Sequence, residues 1–252
     1  MKPLVSFSHR TDRGAMPFKG FTADTLAFLG DLAQHNDRAW FAENRDRYER
    51  EILVRQRDFV EAIGREFASR DARVQAIPTI DRSIYRISRD TRFTPDKSPY
   101  KTYADLIFWI GDDRKSSPGY YLRLSPNGLL VGGGAHLTAP DQDQRYRSAV
   151  VDPGRGDALS NMLRDLGARG FEISGPTRKT VPKGFSADAP NAELLRHNEF
   201  HVVREFAEAP AEFTTEAVVG WTMTHFAEVA PLVDWFADNV GDSHMESTRS
   251  RR

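Results

Sequence analysis

A basic segment in the first half of the chain holds the residue types best suited to chemistry. From Arg82 to Lys101 the sequence has six basic residues and two acids, a local charge of +4 in a chain of formal charge −1. Arginine forks and lysine ammonium groups beside hydroxyl side chains are the donors from which phosphate and carboxylate sites are built. We therefore expect a binding or enzymatic site for a small anionic ligand. Its expected ligand-binding residues are Arg86, Arg89, Arg92, Lys97, Lys101 and Tyr100.

These residues belong to a segment that we call the basic loop, residues 86–102. Most of it connects two predicted strands, and a connection of this length without regular structure is uncommon and often functional. Pro95 and Pro99 restrict its backbone, which makes it stiffer than a flexible linker. A stiff loop with a focused positive charge is typical of an anion site.

Catalytic residues are harder to assign than binding residues. Asp90 and Asp96 could orient the arginines or accept a proton, and His136 follows three consecutive glycines, residues 132–134. If the basic loop approached this glycine run, the three side chains could form the acid/base set of a hydrolase. No spacing enforces that geometry, so the chain is not identified as an enzyme. The glycines themselves fit an anion nest, but a glycine bulge where the strand crosses a long helix is favoured.

An acidic stretch near the C-terminus supports a different interpretation. Residues 205–240 contain seven acids and no Lys or Arg. If the basic loop packed against this stretch, its arginines would form an internal salt-bridge network and bind no ligand. The alternative function is therefore a structural or protein-interaction module, and sequence patterns do not separate the two.

Nucleic acid and metal are weaker candidates. A second basic patch at Arg178, Lys179 and Lys183 could join the basic loop, with Phe93, Tyr100 and Tyr103 as stacking surfaces for bases. The overall charge of −1 argues against a large duplex footprint, so nucleic acid is not favoured.

The pattern of His197, Glu199 and His201 resembles a metal site, but it straddles a predicted helix–strand boundary. We therefore expect no metal and no cofactor.

Composition bounds the class of protein. The 252 residues are 39% hydrophobic and 28% charged, which is enough apolar material for a core. The absence of Cys excludes a disulfide scaffold, thiol catalysis and Cys-ligated metals. No stretch approaches the roughly 18 apolar residues of a membrane span. We expect a soluble cytoplasmic protein without a membrane partner, and its oligomeric state is unknown.

Hydrophobic periodicity predicts the elements that must position the basic loop. Together they indicate the α+β class, with a single domain at 16–240 in which an antiparallel sheet packs against long helices. Residues 1–15 are expected to be a disordered leader, with Met16 as an alternative start, and 241–252 a disordered tail. Predicted helices cover 23–32, 37–69, 139–151, 156–166, 189–195 and 214–240, where Pro231 implies a kink or two helices. Predicted strands cover 83–87, 104–110, 120–124, 129–131, 171–173 and 200–206.

Four motifs resemble one family across about residues 18–240. They are R-I-S-R-D-T-R-F-T-P-D-K-S-P-Y-K-T (86–102), N-D-R-A-W-F-A-E-N-R-D-R-Y-E (36–49), P-G-Y-Y-L-R-L-S-P-N-G-L-L-V-G-G-G (118–134) and V-P-K-G-F (181–185). The sequence is similar in these motifs to a bacterial and fungal family known as domain of unknown function 2461. The resemblance implies no activity and no catalytic residues that can be transferred to this chain. The residues before Met16 depart from the family's usual start.

Overall fold

Five of the six predicted strands, together with a short strand that was not predicted, form one antiparallel sheet. The computed structural model describes residues 17–243, so the predicted leader and most of the predicted tail lie outside the described residues. The α+β class and the antiparallel sheet are confirmed. The strands are Val74–Gln75 (β1), Ala104–Ile110 (β2), Gly119–Ser125 (β3), Gly128–His136 (β4), Glu172–Ile173 (β5) and Glu199–Phe206 (β6), and β1 was not predicted. Their order in the sheet is β1–β2–β3–β4–β6–β5.

The two faces of this sheet differ because successive strand residues point to opposite sides. In β3, Tyr120, Leu122 and Leu124 are buried, whereas Tyr121 and Arg123 between them are half-buried. The buried set faces the helices and forms the core. We call the opposite side the open face. By register it carries Asp105, Ile107, Trp109, Gly119, Tyr121, Arg123, Leu130, Gly132, Gly134, His136, Glu199, His201 and Val203.

Helices cover the core face of the sheet. The longest, α7, crosses β4 at Gly133, where the methyl groups of Val229 and Val233 approach the strand backbone. The helices are Ala23–Gln34 (α1), Arg38–Glu43 (α2), Arg45–Tyr48 (α3), Arg55–Arg70 (α4), Pro140–Val151 (α5), Pro153–Ala168 (α6) and Ala217–Asn239 (α7), with 3-10 turns at Leu194–Arg196 and Ala211–Thr214.

The N-terminal helices begin within one residue of their predicted starts. Asp37 accepts hydrogen bonds from the backbone of Ala39 and Trp40, which fixes the start of the predicted long helix. The run continues to Arg70, but a π-helical segment at Glu49–Val54 interrupts it. Glu51 of that segment is buried and bonded to three side chains, a feature that helical periodicity does not reveal.

The strand predicted at 83–87 is wrong. Ser83 and Tyr85 do exchange backbone hydrogen bonds with β2, at 2.9 Å to the Ile107 amide and 3.1 Å to the Asp105 carbonyl. Beyond that point the chain leaves β2, because the Ile87 carbonyl accepts a hydrogen bond from the Lys101 amide at 2.8 Å. The basic loop thus closes on its own other end instead of extending the sheet.

Two predicted helices also differ. Residues 189–195 do not form an α-helix, since the chain makes successive turns there and only Leu194–Arg196 is a 3-10 helix. At the other end of the chain α7 runs through Pro231 as one element, so the two-helix alternative is wrong. Pro231 removes one backbone donor, and the buried residues on either side of it hold the helix together.

The predicted start of the tail, at residue 241, lies too early in the sequence. Gln142 donates a hydrogen bond to the Gly241 carbonyl at 2.7 Å, and Asp242 accepts one from the Asp112 amide at 2.5 Å. Ser117 and Arg145 also bond to Asp242. The residues at 241–243 are therefore part of the packed domain. Within residues 17–243, no helix combines the length and the apolar character needed to cross a bilayer.

Candidate anion-binding cleft

The structure contains a cleft where the open face of the sheet meets the start of the basic loop. It consists of two adjoining cavities that share Tyr85, Arg114 and Lys115. The first, of about 760 Å³, lies on the open face and is called the sheet cavity. The second, of about 800 Å³, lies beside the basic loop and is called the loop cavity. The loop cavity is lined by Asp81, Arg82, Tyr85, Arg86, Ser88, Arg89, Asp90, Lys101, Tyr103, Asp113, Arg114 and Lys115.

The loop that joins β2 to β3, residues 111–118, brings Arg114 and Lys115 to this junction. The C-terminal end of the domain holds this loop in place, since the carboxylate of Asp242 accepts bonds from the Asp112 amide and the Ser117 hydroxyl. Ser116 and Ser117 are buried. The two cations therefore project from a fixed loop.

Cations and aromatic rings alternate along the cleft. The Arg114 guanidinium lies 4.6 Å from the ring centroid of Tyr85, and the Lys101 ammonium lies 5.0 Å from the same ring. Lys101 also lies 5.7 Å from the ring of Tyr103, over which Arg123 stacks at 3.7 Å. Such contacts hold cations without neutralising them.

Asp105 is the carboxylate at the centre of this row. Its side chain is 7% exposed and accepts hydrogen bonds from the Tyr121 hydroxyl at 2.5 Å and from Arg123 Nε at 2.8 Å. Lys101 Nζ lies 3.8 Å away. Burial, and then the charge of Asp105, raise the pKa of Tyr121 above its ordinary value, so the hydroxyl keeps its proton and remains a donor.

Positive charge exceeds negative charge around Lys101. Its pKa is lowered, first by burial and also by the neighbouring charges of Arg123, Arg86 and Arg114, while the charge of Asp105 acts in the opposite direction. A lowered lysine pKa means that the protonated form is disfavoured in the free protein. The cleft lacks the negative charge that would balance its cations.

Arg114 is the most exceptional of these cations. Its Nη1 atom is buried and has no hydrogen-bond partner. Arg82, Arg86 and Lys115 line the loop cavity with it, and within residues 17–243 none of the four forms an ion pair with a carboxylate. A buried charged donor without an acceptor is costly, so this position calls for an explanation.

The ligand-binding residues expected from the sequence do not all line the same cavity. Arg86, Arg89 and Lys101 line the loop cavity. Lys97 and Tyr100, again with Arg89, line a separate cavity of about 430 Å³ beside Asn36–Arg38. Tyr100 stacks on Phe41 with ring centroids 4.1 Å apart. Its backbone amide donates a hydrogen bond to Asn36 Oδ1, and its carbonyl accepts one from Asn36 Nδ2.

Several polar groups of the basic loop are paired within the loop. Arg89 is paired with Asp96 and Arg92 with Asp90, while Lys97 donates a hydrogen bond to the Thr91 carbonyl at 2.8 Å. Among residues 17–243, no ion pair joins the basic loop to the acidic stretch at 205–240, so the internal pairs that the alternative interpretation expects are formed with acids at 90, 96 and 105 instead. Acids of the stretch pair elsewhere: Glu216 with Lys19, Glu228 with Arg169 and Arg204, and Asp234 with Arg73.

The three catalytic candidates are not brought to one point. Asp90 lines the loop cavity, His136 lines the sheet cavity, and Asp96 lines neither. The hydrogen bonds from Arg92 lower the pKa of Asp90 to about 2, and the bond from Arg89 lowers the pKa of Asp96. Such strongly ionised carboxylates are weak bases. His136 pairs with Glu199 at 3.7 Å across β4 and β6.

The other candidate motifs have separate positions. His197 is buried and stacks on Phe200, apart from Glu199 and His201 on the open face. No cluster of three metal ligands occurs among the described residues. Arg178 pairs with Asp143, and the second basic patch lines none of the three cavities.

The prediction of a glycine bulge at residues 132–134 is wrong as well. Gly132, Gly133 and Gly134 pair without interruption with both neighbouring strands. Because strand pairing takes up their backbone groups, they form no anion nest, and the helix that crosses at Gly133 is α7 rather than the long helix predicted at 37–69.

Sequence reasoning missed the residues of the cleft that lie outside the basic loop, above all Asp105 and Arg123 on the open face and Arg114 in the loop between β2 and β3. One signal was present. Asp105 is the only charged residue in the apolar strand A-D-L-I-F-W-I, and Arg123 interrupts the strand Y-Y-L-R-L in the same way. A charge inside a buried strand requires a partner, and register places the two opposite each other. Arg114 gave no comparable signal, because it lies in a polar turn.

Comparison with known proteins identifies a family but no characterised relative. No curated protein matches the chain, and no solved structure matches it. A family model described as "Conserved hypothetical protein (DUF2461)" matches residues 24–235, which span all the elements around the cleft. The chain therefore belongs to the DUF2461 family.

Proposed function

We propose that the cleft binds a small molecule through a phosphate or carboxylate group, with Arg114 as the central anion ligand. The observation that carries this proposal is that Arg114, Arg82, Arg86 and Lys115 line one cavity and form no ion pair with a carboxylate within residues 17–243. An anionic group in the loop cavity would supply the negative charge that these side chains lack. Lys101, Arg86 and Lys115 would provide further donors from the walls of the loop cavity.

The charge balance of the cleft supports the same proposal. Six of the residues that line the loop cavity are Lys or Arg and three are Asp, so positive charge is in excess there. An anion in the cleft would compensate these cations, so part of the cost of assembling them would be recovered on binding. The stacked rings of Tyr85 and Tyr103 keep the cations in place without competing for their N–H donors.

This proposal moves the binding site from the tip of the basic loop to its base. Arg92 is exposed and already paired with Asp90, and Arg89 is paired with Asp96. Those pairs would have to open before either guanidinium could hold a ligand bidentately. Catalysis is not part of the proposal, because Asp90, Asp96 and His136 do not share a cavity.

A titration with sulfate and phosphate tests the proposal. We expect both anions to raise the melting temperature of the wild-type protein, and Arg114→Ala to weaken binding by about tenfold or more, which corresponds to about 1.4 kcal/mol. The matched control is Arg57→Ala, which removes the same charge from an exposed position of α4 without a carboxylate partner. The proposal fails if neither anion stabilises the wild type, or if Arg114→Ala binds them as tightly as Arg57→Ala does.

A further inference from the structure

Three aliphatic side chains of the open face take no part in the core. Ile107 of β2, Leu130 of β4 and Val203 of β6 are each half-buried. Among the described residues, neither the core cluster nor the set of hydrophobic side chains packed against it includes any of the three. A single exposed aliphatic side chain is ordinary, but a group that shares one cavity is an apolar surface that calls for an occupant.

All three side chains line the sheet cavity, together with Tyr121. Ile107 pairs directly with Tyr121 on β3. Val203 lies in the same row of the sheet, two strands beyond Tyr121, and Leu130 lies in the adjacent row. With neighbouring strands about 4.8 Å apart, the row from Ile107 to Val203 measures about 14 Å. The cavity volume of about 760 Å³ is in the range of pockets for small organic ligands.

The sheet cavity also carries an excess of positive charge. Arg114, Lys115 and Arg123 line it, and Asp105 is the one carboxylate among the described residues around it. Asp105 is paired with Arg123, whereas Arg114 and Lys115 have no carboxylate partner within residues 17–243. These two cations lie where the sheet cavity meets the loop cavity. The apolar surface therefore adjoins the cations of the proposed anion site.

We propose that the ligand is an amphiphilic anion, whose acid group lies among the cations of the loop cavity and whose apolar body fills the sheet cavity. This inference rests on the proposed function, since it takes the anion site as given. The apolar body would remove Ile107, Leu130 and Val203 from water, which is favourable in proportion to the area covered. His136 and His201, which also line this cavity, are exposed and keep their contact with water.

Other classes of ligand use the two cavities less well. A sugar phosphate would bring hydroxyl groups against Ile107, Leu130 and Val203, whose side chains offer no hydrogen bond, and burying a hydroxyl without a partner is unfavourable. A neutral apolar molecule would leave the charges of Arg114 and Lys115 uncompensated. An inorganic anion would leave the aliphatic side chains in water. A ligand with an acid group and an apolar body satisfies both cavities at once.

A series of alkyl sulfates separates the apolar body from the acid group. Ethyl, butyl and hexyl sulfate carry the same single charge and differ only in the length of the chain. We expect the affinity measured by calorimetry to rise about tenfold from ethyl to butyl sulfate and again from butyl to hexyl sulfate, because each buried methylene group contributes about fourfold. Hexyltrimethylammonium has the same chain with the opposite charge and should not bind.

A variant of the apolar wall changes its chemistry with little change in shape. Val203→Thr keeps a β-branched side chain in the strand but replaces a methyl group with a hydroxyl. It should weaken the binding of hexyl sulfate by about fivefold, while ethyl sulfate binds within about twofold of its wild-type affinity. Val151→Thr is the matched control, since it makes the same change at an exposed position of α5 outside the three cavities.

Methyl NMR spectra locate the alkyl chain in the protein. In protein labelled with ¹³C in the methyl groups of Ile, Leu and Val, hexyl sulfate should shift the signals of Ile107, Leu130 and Val203 more than ethyl sulfate does. The signal of Leu29, which is buried in the core on α1, should stay in place.

The outcomes separate this inference from the proposed function. Equal affinities for ethyl and hexyl sulfate, unshifted methyl signals at 107, 130 and 203, or equally tight binding of hexyltrimethylammonium would overturn the amphiphile inference and leave the anion site intact. A dimer in sedimentation that dissociates in Val203→Thr would also overturn it, because a second copy would then cover the open face. If no sulfate of the series binds, or if Arg114→Ala binds ethyl sulfate like the wild type, the proposed function itself fails.

Discussion

The Arg114 guanidinium lies over the ring of Tyr85 at 4.6 Å, and among residues 17–243 it has no hydrogen bond or ion pair with another side chain. A cation–π contact of this kind holds the guanidinium without neutralising its charge. Tyr85 is fixed by its own backbone, whose amide bonds to the Asp105 carbonyl at 3.1 Å. The sheet thus sets the position of an arginine that belongs to a loop.

Replacing Tyr85 tests whether this stacking prepares Arg114 for an anion. Tyr85→Leu removes the aromatic face and should weaken sulfate binding by about two- to fivefold, because a stacked cation loses about 0.5–1 kcal/mol of positioning energy. Tyr85→Phe keeps the ring and should bind sulfate like the wild type. The prediction is contradicted if the Leu and Phe variants have the same dissociation constant in a calorimetric titration.

The lowered pKa of Lys101 predicts how anion binding depends on pH. Burial and the charges of Arg123, Arg86 and Arg114 hold its pKa below the ordinary 10.5 in the free protein, against the opposing charge of Asp105. A bound anion favours the protonated form and raises that pKa, so binding takes up a proton. Affinity should be constant at pH values below the free-protein pKa of Lys101 and should fall as the pH rises through it toward 10.5.

Sulfate is the suitable probe for this profile because its charge does not change above pH 7. Lys101→Arg retains its charge throughout and should remove the fall in affinity. Lys97→Ala serves as the control, since Lys97 lines a different cavity and donates its bond to the Thr91 carbonyl. A wild-type profile that stays flat up to pH 10.5 would show that Lys101 does not contact the anion.

The lowered pKa of Glu51 predicts that the folded protein loses stability in acid. Burial raises the pKa of Glu51, but hydrogen bonds from Thr22, Arg50 and Arg55 outweigh it and lower the pKa to about 2, against an ordinary 4.5. The ionised carboxylate therefore stabilises the fold by about 2–3 kcal/mol above pH 4.5, and this contribution is lost as the pH falls from 4.5 toward 2.

Urea unfolding of Glu51→Gln measures this contribution. The variant should be less stable than the wild type by about 2–3 kcal/mol at pH 7, and the difference should shrink to about half or less at pH 3. Glu49→Gln is the matched control, because Glu49 lies in the same π-helical segment but is partly exposed and paired with one arginine. An equal destabilisation by Glu51→Gln at the two pH values would rule out the ionised carboxylate as its cause.

Two deletions locate the C-terminal limit of the domain. Removal of residues 244–252 should leave the melting temperature and sulfate affinity unchanged. Removal of 241–252 also takes away Asp242, which leaves the Asp112 amide and the Ser117 hydroxyl without their acceptor. The melting temperature should then fall by about 4 °C or more, and sulfate should bind more weakly because the loop carrying Arg114 is released. Identical melting curves for the two deletions would place the limit back at residue 240.

Local signals explain why most elements could be predicted from the sequence. The cap at Asp37, the turn at Ser125–Gly128 and the three- and four-residue spacing of apolar positions each report on nearby residues only. Residues 83–87 and 189–195 have similar local patterns, but tertiary contacts prevent the predicted strand and the predicted helix from forming there. In the first case the Ile87 carbonyl found its donor at Lys101 rather than on β2.

The cleft could be predicted only in part, for a related reason. The basic loop was recognised by its charge, but charge does not say which arginines are already neutralised. Arg89 and Arg92 are paired with acids seven and two residues away, whereas Arg114 is unpaired. The partner of Arg123 is Asp105, 18 residues earlier, and only strand register brings them together. A pair of this kind is visible once the pairing of β2 with β3 is known.

The alternation of the two faces along β3 has a consequence for divergence within the family. Tyr120, Leu122 and Leu124 build the core, and the intervening Tyr121 and Arg123 contact the cleft. Substitutions at the cleft positions can change which ligand is accepted while the core packing is retained. Arg123 is restricted by its pairing with the buried carboxylate of Asp105, whose loss would leave a buried charge without its partner. Gly119, Gly132 and Gly134 are restricted by the backbone, because a Cβ atom at any of them would overlap a carbonyl oxygen of a neighbouring strand. Changes of ligand specificity are therefore expected at the remaining wall positions, on the face of the sheet that the core does not use.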